Sequence, residues 1–368
     1  MANNKLHIVF AGGGTLGHLF PGLAVAEQLA VAEPSARITF AGGGRECERR
    51  LVRAHGFDYL LVACRAWPRQ PWAAGRFIAG NAAGFLSARR FLRRQGVAAV
   101  VGLGGFVSAP VAKAAESRKL PLVLLEQNAF PGRVNRWLAP RATLVCAAFD
   151  SVRSWLPRRV KLLVTGTPVR SSFERSMEVE SARDRLLVVL GGSRGAESLN
   201  HAVPHFADRI VKAGWRIVHQ SGEADAAGTR ERYRSCGAYV EVVAFIEDMP
   251  SLLARAGLVV CRAGGTTLAE LALTGTPALA CPYPHAADDH QRRNALEFAA
   301  AGACILVDQR ETNESRFGDV VSALIADAEQ RKRMSRAMRS LARPEAAGRI
   351  AELVLQASVG NAVRGAGA

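Results

Sequence analysis

From Tyr59 to Ala115 the chain contains no aspartate or glutamate, while Arg65, Arg69, Arg76, Arg89, Arg90, Arg93, Arg94 and Lys113 accumulate there. A stretch of one sign this long excludes a self-compensating surface and points to an anionic partner. Long apolar runs are also missing. The longest uncharged stretch, Gln95 to Ala112, holds four glycines and a proline, and reads as strand, loop and helix start, not as a membrane span. Lys5, the apolar run after it and Ala24-Val25-Ala26 imitate an export signal, but Gly12-Gly13-Gly14, His18 and Pro21 interrupt it, so no export is expected. The seven cysteines are odd in number, widely spaced and free of any C-x-x-C pair, which excludes a disulfide frame and a zinc site. Cys146, Cys261 and Cys281 lie in apolar runs, where reduced cysteine acts as a small hydrophobe. There is no D-x-D, so a metal-bridged diphosphate has no obvious ligands, and no G-K-[ST], which disfavours a Walker-type ATPase. RNP, KH and zinc-knuckle patterns are missing too, and nucleic acid is not an expected partner.

What is present is a globular composition, 49% hydrophobic and 22% charged over 368 residues. That length suggests two or three domains at roughly 150 residues each. Of 48 basic and 32 acidic side chains, residues 1–165 hold 23 and 8, leaving 25 and 24 for residues 166–368. The first half therefore carries +15 and the second +1 of the net +16. Only one half should face a polyanion.

Short apolar runs alternate with segments of helical period: Leu6–Ala11, Gly22–Ala32, Ile38–Ala41, Glu46–Ala54, Tyr59–Ala63. This is βαβ order. The pattern restarts with Leu186–Leu190, followed by strand candidates Trp215–His219, Tyr239–Val243, Leu258–Cys261, Pro277–Cys281 and Cys304–Val307. The fold class expected is α/β, two doubly wound Rossmann-like domains. Residues 1–165 form an N-terminal, partner-facing domain, 166–184 a polar linker, and 185–345 a C-terminal domain. Residues 346–368 supply a closing helix that packs back toward the N-terminal domain and a frayed tail from Gly360. The carboxyl ends of both sheets would face one cleft, the usual ligand position in doubly wound folds.

Each half opens with a strand running into a glycine-rich turn, Gly12-Gly13-Gly14-Thr15-Leu16-Gly17-His18 and Gly191-Gly192-Ser193-Arg194-Gly195. Gly12, Gly14 and Gly17 satisfy G-x-G-x-x-G, yet the acid expected after the next strand is missing, since Ala41 leads into Gly42-Gly43-Gly44-Arg45. An NADP site using Arg45 survives this test but leaves the second turn unexplained. That turn offers close backbone approach, free N–H groups and the Ser193 hydroxyl to a phosphate. His18, at a helix start, is a candidate general base, because the positive helix end favours neutral imidazole. Arg262-Ala263-Gly264-Gly265-Thr266-Thr267-Leu268-Ala269-Glu270 joins another strand to a helix, and Glu270 has the chemistry to bond two adjacent ribose hydroxyls. Pro282-Tyr283-Pro284-His285-Ala286-Ala287-Asp288-Asp289-His290-Gln291 then packs polar groups against a strand end.

At these residues the chain resembles the MurG family of bacterial glycosyltransferases. The likeness rests on Gly13-Gly14-Thr15-x-Gly17-His18 with Phe20-Pro21-Gly22, Gly104-Gly105-Phe106-Val107-Ser108, Glu126-Gln127-Asn128, Gly166-x-Pro168-Val169-Arg170, Gly191-Gly192-Ser193, Phe245-Ile246-x-Asp248-Met249 and both late clusters. It implies the two-domain GT-B arrangement and inverting transfer of N-acetylglucosamine from UDP-N-acetylglucosamine to undecaprenyl-linked N-acetylmuramyl-pentapeptide, with no cofactor and no metal. Matching positions place the uracil against Phe245 and the Ile246 backbone, the ribose on Glu270 within the Gly265–Glu270 turn and the diphosphate on Ser193. They give sugar hydroxyls to Gln291, bring Asn128 and Arg170 to the donor, border it with Thr15, Leu16 and Gly17, and make His18 the base. Leu16 and Thr167 depart from the family's usual glycine and asparagine; neither change removes a functional side chain.

The acid-free stretch also contains Trp67, Trp72 and a helical segment. A wheel at 100° per residue puts Phe77, Ile78, Phe85, Phe91 and Leu92 on one arc and Arg76, Arg89, Arg90, Arg93 and Arg94 on the other. Such a basic amphipathic helix with preceding tryptophans suits an anionic membrane surface, with the protein peripheral on the cytoplasmic side.

Overall fold

The computed structural model describes residues 6–68, 70–176, 183–192 and 195–365. Arg69 of the basic stretch and Ser193 and Arg194 of the second glycine turn lie outside the described residues, as do 177–182 of the expected linker. The chain divides into two compact units, one made of Met1–Arg170 with Glu345–Ala368 and the other of Ser171–Pro344.

The first unit is built on a seven-stranded parallel sheet: β1 His7–Ala11, β2 Arg37–Gly42, β3 Asp58–Leu61, β4 Ala99–Gly102, β5 Leu122–Glu126, β6 Leu144–Ala147 and β7 Leu162–Val164, in the order β3-β2-β1-β4-β5-β6-β7. Strands covered on both faces read as unbroken apolar runs, and Ile8 to Ala11 are fully buried. Helices α1 Leu16–Ala32, α2 Glu46–Ala54, α3 Ala74–Arg94, α4 Gly105–Ser117 and α5 Arg133–Leu138 connect them. Alternation sorts the strand residues. Ile8 and Phe10 pack with Leu19 and Leu23 of α1, while Val9 and Ala11 pack with Leu92 of α3 and Val111 of α4. Helix α1 starts at Leu16, well before the Gly22 read from periodicity, and carries Pro21 inside it. The cost is one ladder hydrogen bond, the one Pro21 cannot donate.

The second unit has six parallel strands, β8 Leu186–Leu190, β9 Arg216–Gln220, β10 Val240–Val243, β11 Leu258–Cys261, β12 Ala278–Ala280 and β13 Cys304–Leu306, in the order β10-β9-β8-β11-β12-β13. Its helices are α6 Glu197–Ala202, α7 Ala207–Lys212, α8 Ala226–Arg232, α9 Met249–Arg255, α10 Gly265–Thr274, α11 His290–Ala300, α12 Glu314–Ala326 and α13 Ala328–Ser340. Both sheets are thus doubly wound and Rossmann-like.

The expected linker is not wholly free of structure. Ser171–Ser176 forms a 3₁₀ turn whose Phe173 is fully buried. Arg183 donates to the carbonyls of Leu253, Ala254, Ala256 and Thr274, closing the last turns of α9 and α10. Burial pushes its pKa down to about 10, so it stays charged at neutral pH. A final helix, α14 Ala346–Gly365, belongs to the first unit and lies against α1, with Ile350, Ala351 and Val354 buried. The segment expected to be frayed from Gly360 is helical as far as Gly365, and 366–368 lie outside the described residues. Among the described residues no helix is long and apolar enough to cross a membrane.

Candidate functional site

In a doubly wound sheet, loops diverge where the chain reverses its direction of travel across the strands, leaving a crevice at the carboxyl ends. In the first unit that point lies between β1 and β4. The turn after β1 and the Gly104-Gly105 turn after β4 flank it. Thr15 is the N-cap of α1, but its hydroxyl is spent on the His18 Nδ1 at 2.9 Å instead of a helix amide. The edge of the His18 ring rests on the Gly104 backbone, where φ is +88° and a Cβ would fall 3.3 Å from His18 Cδ2. Leu16, the departure from the family pattern, packs its half-buried side chain on the core beneath α1. The Arg170 guanidinium stacks 4.3 Å from the centre of the Phe20 ring.

Asn128 is held from below. Glu126, at the end of β5 and almost wholly buried, accepts from the Asn128 backbone N–H at 3.0 Å and Nδ2 at 3.1 Å, from Gly132 N–H at 2.8 Å and from Asn135 Nδ2 at 2.9 Å. Burial raises its pKa despite these four donors. Within the motif Glu126-Gln127-Asn128 the first residue therefore supports the third, a relation that sequence spacing alone does not reveal.

In the second unit the corresponding point lies between β8 and β11. Phe245 and Ile246 follow β10; Phe245 is 57% exposed and Ile246 is buried. Gly264 caps α10, placing Gly265, Thr266, Thr267, Leu268 and Ala269 in its opening turns and Glu270 sixth. At that depth Glu270 is only 7% exposed, so it is not an ordinary first-turn acid offsetting the helix dipole. Gln291 opens α11 and accepts the Tyr283 N–H at 2.8 Å through Oε1, turning its Nε2 donor outward from that bond. Arg262 ties the strand ends together by donating to the carbonyls of Cys281 and Pro282, both at 3.1 Å. All these groups follow the carboxyl ends of strands of one parallel sheet. Among the described residues no group of three or more His, Cys, Asp or Glu side chains is placed to hold a metal ion.

A polar chain that periodicity cannot show runs beneath the second glycine turn. Tyr233 donates its hydroxyl to His219 Nδ1 at 2.7 Å, and His219 Nε2–H donates to Asn200 Oδ1 at 3.0 Å. Asn200 Nδ2 donates to the Ser221 carbonyl at 3.0 Å and to Asp225 Oδ2 at 2.9 Å. Both of those are acceptors only, which fixes the amide orientation and hence the histidine tautomer. Gly195 lies on that same Ser221 carbonyl, 2.1 Å from where its Cβ would be. Burial pushes the His219 pKa down from 6.5 to about 3. Between those values the unfolded chain binds a proton that the folded chain refuses, so the unit loses roughly 1.4 kcal/mol per pH unit on acidification. His219→Gln keeps a donor and an acceptor but not the titration. Its melting temperature should fall less steeply between pH 6.5 and 4 than the wild type's, and parallel slopes would refute the assignment.

On α3 the inward stripe is Phe77, Asn81, Gly84, Ala88 and Leu92. Ile78, which the wheel assigns to that stripe, is 64% exposed. The stripe is set by close packing at Gly84, whose Cβ would strike the Ala63 carbonyl, and by Asn81, which bonds Arg65 backbone N–H and carbonyl. Trp67, Trp72 and Leu86 are exposed as well. Outward-facing apolar groups thus lie among Arg76, Arg89, Arg90, Arg93 and Arg94, all exposed.

Two family descriptions match this chain, the glycosyltransferase family 28 N-terminal domain over residues 8–147 and the C-terminal domain over residues 186–350. A UDP-N-acetylglucosamine--N-acetylmuramyl-(pentapeptide) pyrophosphoryl-undecaprenol N-acetylglucosamine transferase of Anaeromyxobacter dehalogenans is 36% identical over 365 residues, covering 95% of this chain and 93% of its own. The protein of that name from Syntrophotalea carbinolica is 38% identical over 349 residues, covering 94% and 97%. The crystal structure of Acinetobacter baumannii MurG superposes with a TM-score of 0.75 at 28% identity, covering 96% of this chain and 100% of that one. A UDP-GlcNAc 2-epimerase from Neisseria meningitidis shares the fold, with a TM-score of 0.67 at 15% identity.

Proposed function

This chain belongs to the MurG family of glycosyltransferases, and on that premise we propose that it transfers N-acetylglucosamine from UDP-N-acetylglucosamine to the 4-hydroxyl of undecaprenyl-diphosphate-linked N-acetylmuramyl-pentapeptide, forming lipid II from lipid I. The observation that supports the donor side is that Phe245, Ile246, Glu270 and Gln291 all lie in segments following the carboxyl ends of β10, β11 and β12 of one parallel sheet. In this reading the uracil lies on Phe245 and the Ile246 backbone, Glu270 accepts from the ribose hydroxyls, and Gln291 Nε2 donates to the sugar. Ser193 and neighbouring turn amides receive the diphosphate, with Asn128 and Arg170 as further donor contacts. Thr15, Leu16 and Gly17 border the reacting sugar.

Chemically, the acceptor hydroxyl attacks the anomeric carbon as the bond to the UDP oxygen breaks. His18 takes the hydroxyl proton, UDP leaves with the electron pair, and the configuration inverts. Backbone amides stabilise the departing diphosphate without a metal bridge. The exposed face of α3 with Trp67 and Trp72 supports docking on an anionic bilayer, where the lipid-linked acceptor resides.

The test is UDP release from a panel of UDP-sugars with the lipid-linked acceptor, with and without EDTA; UDP-N-acetylglucosamine alone should turn over, and equally in both conditions. Glu270→Ala should weaken UDP itself by about 10–100-fold, since bonds to a charged group are worth roughly 1.5–3 kcal/mol. Gln291→Ala should weaken the nucleotide sugar and leave UDP nearly untouched. Equal losses for both ligands in both variants would sink the assignment.

A further inference from the structure

The backbone of the first glycine turn is not supported by its own helix or strand alone. Gly12 N–H reaches back to the Ala41 carbonyl at 3.0 Å. Gly14 N–H, two residues on, is met by a side chain from far along the sequence, donating to Glu48 Oε1 at 2.5 Å. Glu48 sits in the opening turn of α2 and is 2% exposed, too deep to touch a substrate. Its other oxygen accepts the Tyr59 hydroxyl at 3.3 Å, and that hydroxyl in turn accepts Gly44 N–H at 3.0 Å. At Gly13, where φ is +149°, a Cβ would fall 3.0 Å from Glu48 Oε2, so a side chain there would be strained and would crowd the carboxylate. The next residue after the pinned amide is Thr15, whose hydroxyl meets His18 Nδ1.

We propose that Glu48, backed by Tyr59, is a positioning residue for the base: through Gly14 N–H it fixes the turn that sets Thr15 against His18. The proposal rests on His18 being the base. A burial this complete is costly for a carboxylate unless each oxygen is hydrogen-bonded; here one oxygen holds the Gly14 turn directly and the other, through Tyr59, ties that support to Gly44 in the loop after β2. Tyr59 keeps its proton for this bond, because burial first and the Glu48 charge second push its pKa up to about 12. One end of the network lies at the turn that leads into Thr15 and His18, the other at Gly44.

The experiment is steady-state kinetics on Glu48→Ala, Glu48→Gln and Tyr59→Phe, alone and combined with His18→Ala. Glu48→Gln retains an acceptor for Gly14 N–H and a donor toward Tyr59, and should keep near-native kcat. Glu48→Ala should lower kcat by up to about 10²-fold, the usual cost of a small misplacement of a reacting group, with the KM for UDP-N-acetylglucosamine unchanged. Added to His18→Ala it should cause no further loss. Tyr59→Phe should show the same pattern more weakly, and carries the test if Glu48→Ala does not fold. A folded Glu48→Ala enzyme with native kcat, an equal loss in Glu48→Gln, or a full additional loss in the His18→Ala background would each overturn the proposal. Native turnover in His18→Ala alone would instead overturn the assignment of the base.

Discussion

His18→Ala is expected to cut turnover by about 10²–10⁴, the range for loss of a positioned general base, with little change in the affinity for UDP. For His18 to take a proton, one ring nitrogen must be unprotonated when the acceptor binds. Thr15 Oγ1 at 2.9 Å from Nδ1 can accept the proton on that nitrogen, leaving the lone pair on Nε2, at the ring edge that lies on Gly104. The wild-type kcat profile should therefore lose activity on the acid side as the imidazole protonates, and that limb should vanish in His18→Ala. Thr15→Val removes the hydroxyl that selects the tautomer and should lower kcat by less than the histidine variant does. Leu16→Gly, which restores the family's usual turn, should lower the melting temperature, because it uncovers the core under α1, and should leave the acid limb in place. Retention of near-native turnover in His18→Ala would mean that another group accepts the proton.

The second large effect concerns location. Reversing Arg89, Arg90, Arg93 and Arg94 to glutamate should abolish cosedimentation with anionic vesicles. Basic side chains near such a surface contribute roughly 1 kcal/mol each, so losing four attractions alone costs on the order of 10³ in partitioning, before any repulsion. Wild-type binding should itself weaken in high salt, as the Debye length falls to about 3 Å at 1 M. Arg93 and Arg94 lie in the last turn of α3, where glutamate would also oppose the helix dipole. A companion variant with glutamine at all four positions separates the two effects: it should lose most vesicle binding and keep its melting temperature. Trp67→Ala with Trp72→Ala should weaken binding in a salt-insensitive way. Turnover of a water-soluble acceptor analogue should survive in every case, and unchanged vesicle binding in the glutamate variant would reduce the helix to a structural element.

Doubly wound order and two glycine turns are legible in the amino-acid string because parallel strands, buried on both faces, leave apolar runs, and because close backbone approach demands glycine. Glu270 and Gln291 are legible by their places after a strand. What escapes is contact between distant segments. Glu48 looks like any acid at a helix start until the fold brings Gly14 to it across 34 residues. Glu126 reads as a neighbour of Asn128, not as its support, and the His219 chain joins α6, β9 and α8 with the turn after it in ways that no local pattern encodes. Ile78 is misassigned by a wheel because apolarity alone does not say which side of a helix a neighbour occupies; the small Gly84 and Ala88 mark that side better. Phe173 is missed for the opposite reason, a single aromatic in a polar segment having no period to read.

The return of α14 to the first unit has a consequence for how the polypeptide is made. Strands β1 to β7 are the earliest to be synthesised, yet the helix that packs against α1 arrives only when residues 346–365 do. The second unit, Ser171–Pro344, is contiguous and can complete its core while the first still shows an apolar strip on α1. The usual order of vectorial folding, amino-terminal domain first, is thereby inverted: the half begun earliest is sealed last, and a nascent chain halted before Ile350 would display that strip to any chaperone or protease in reach.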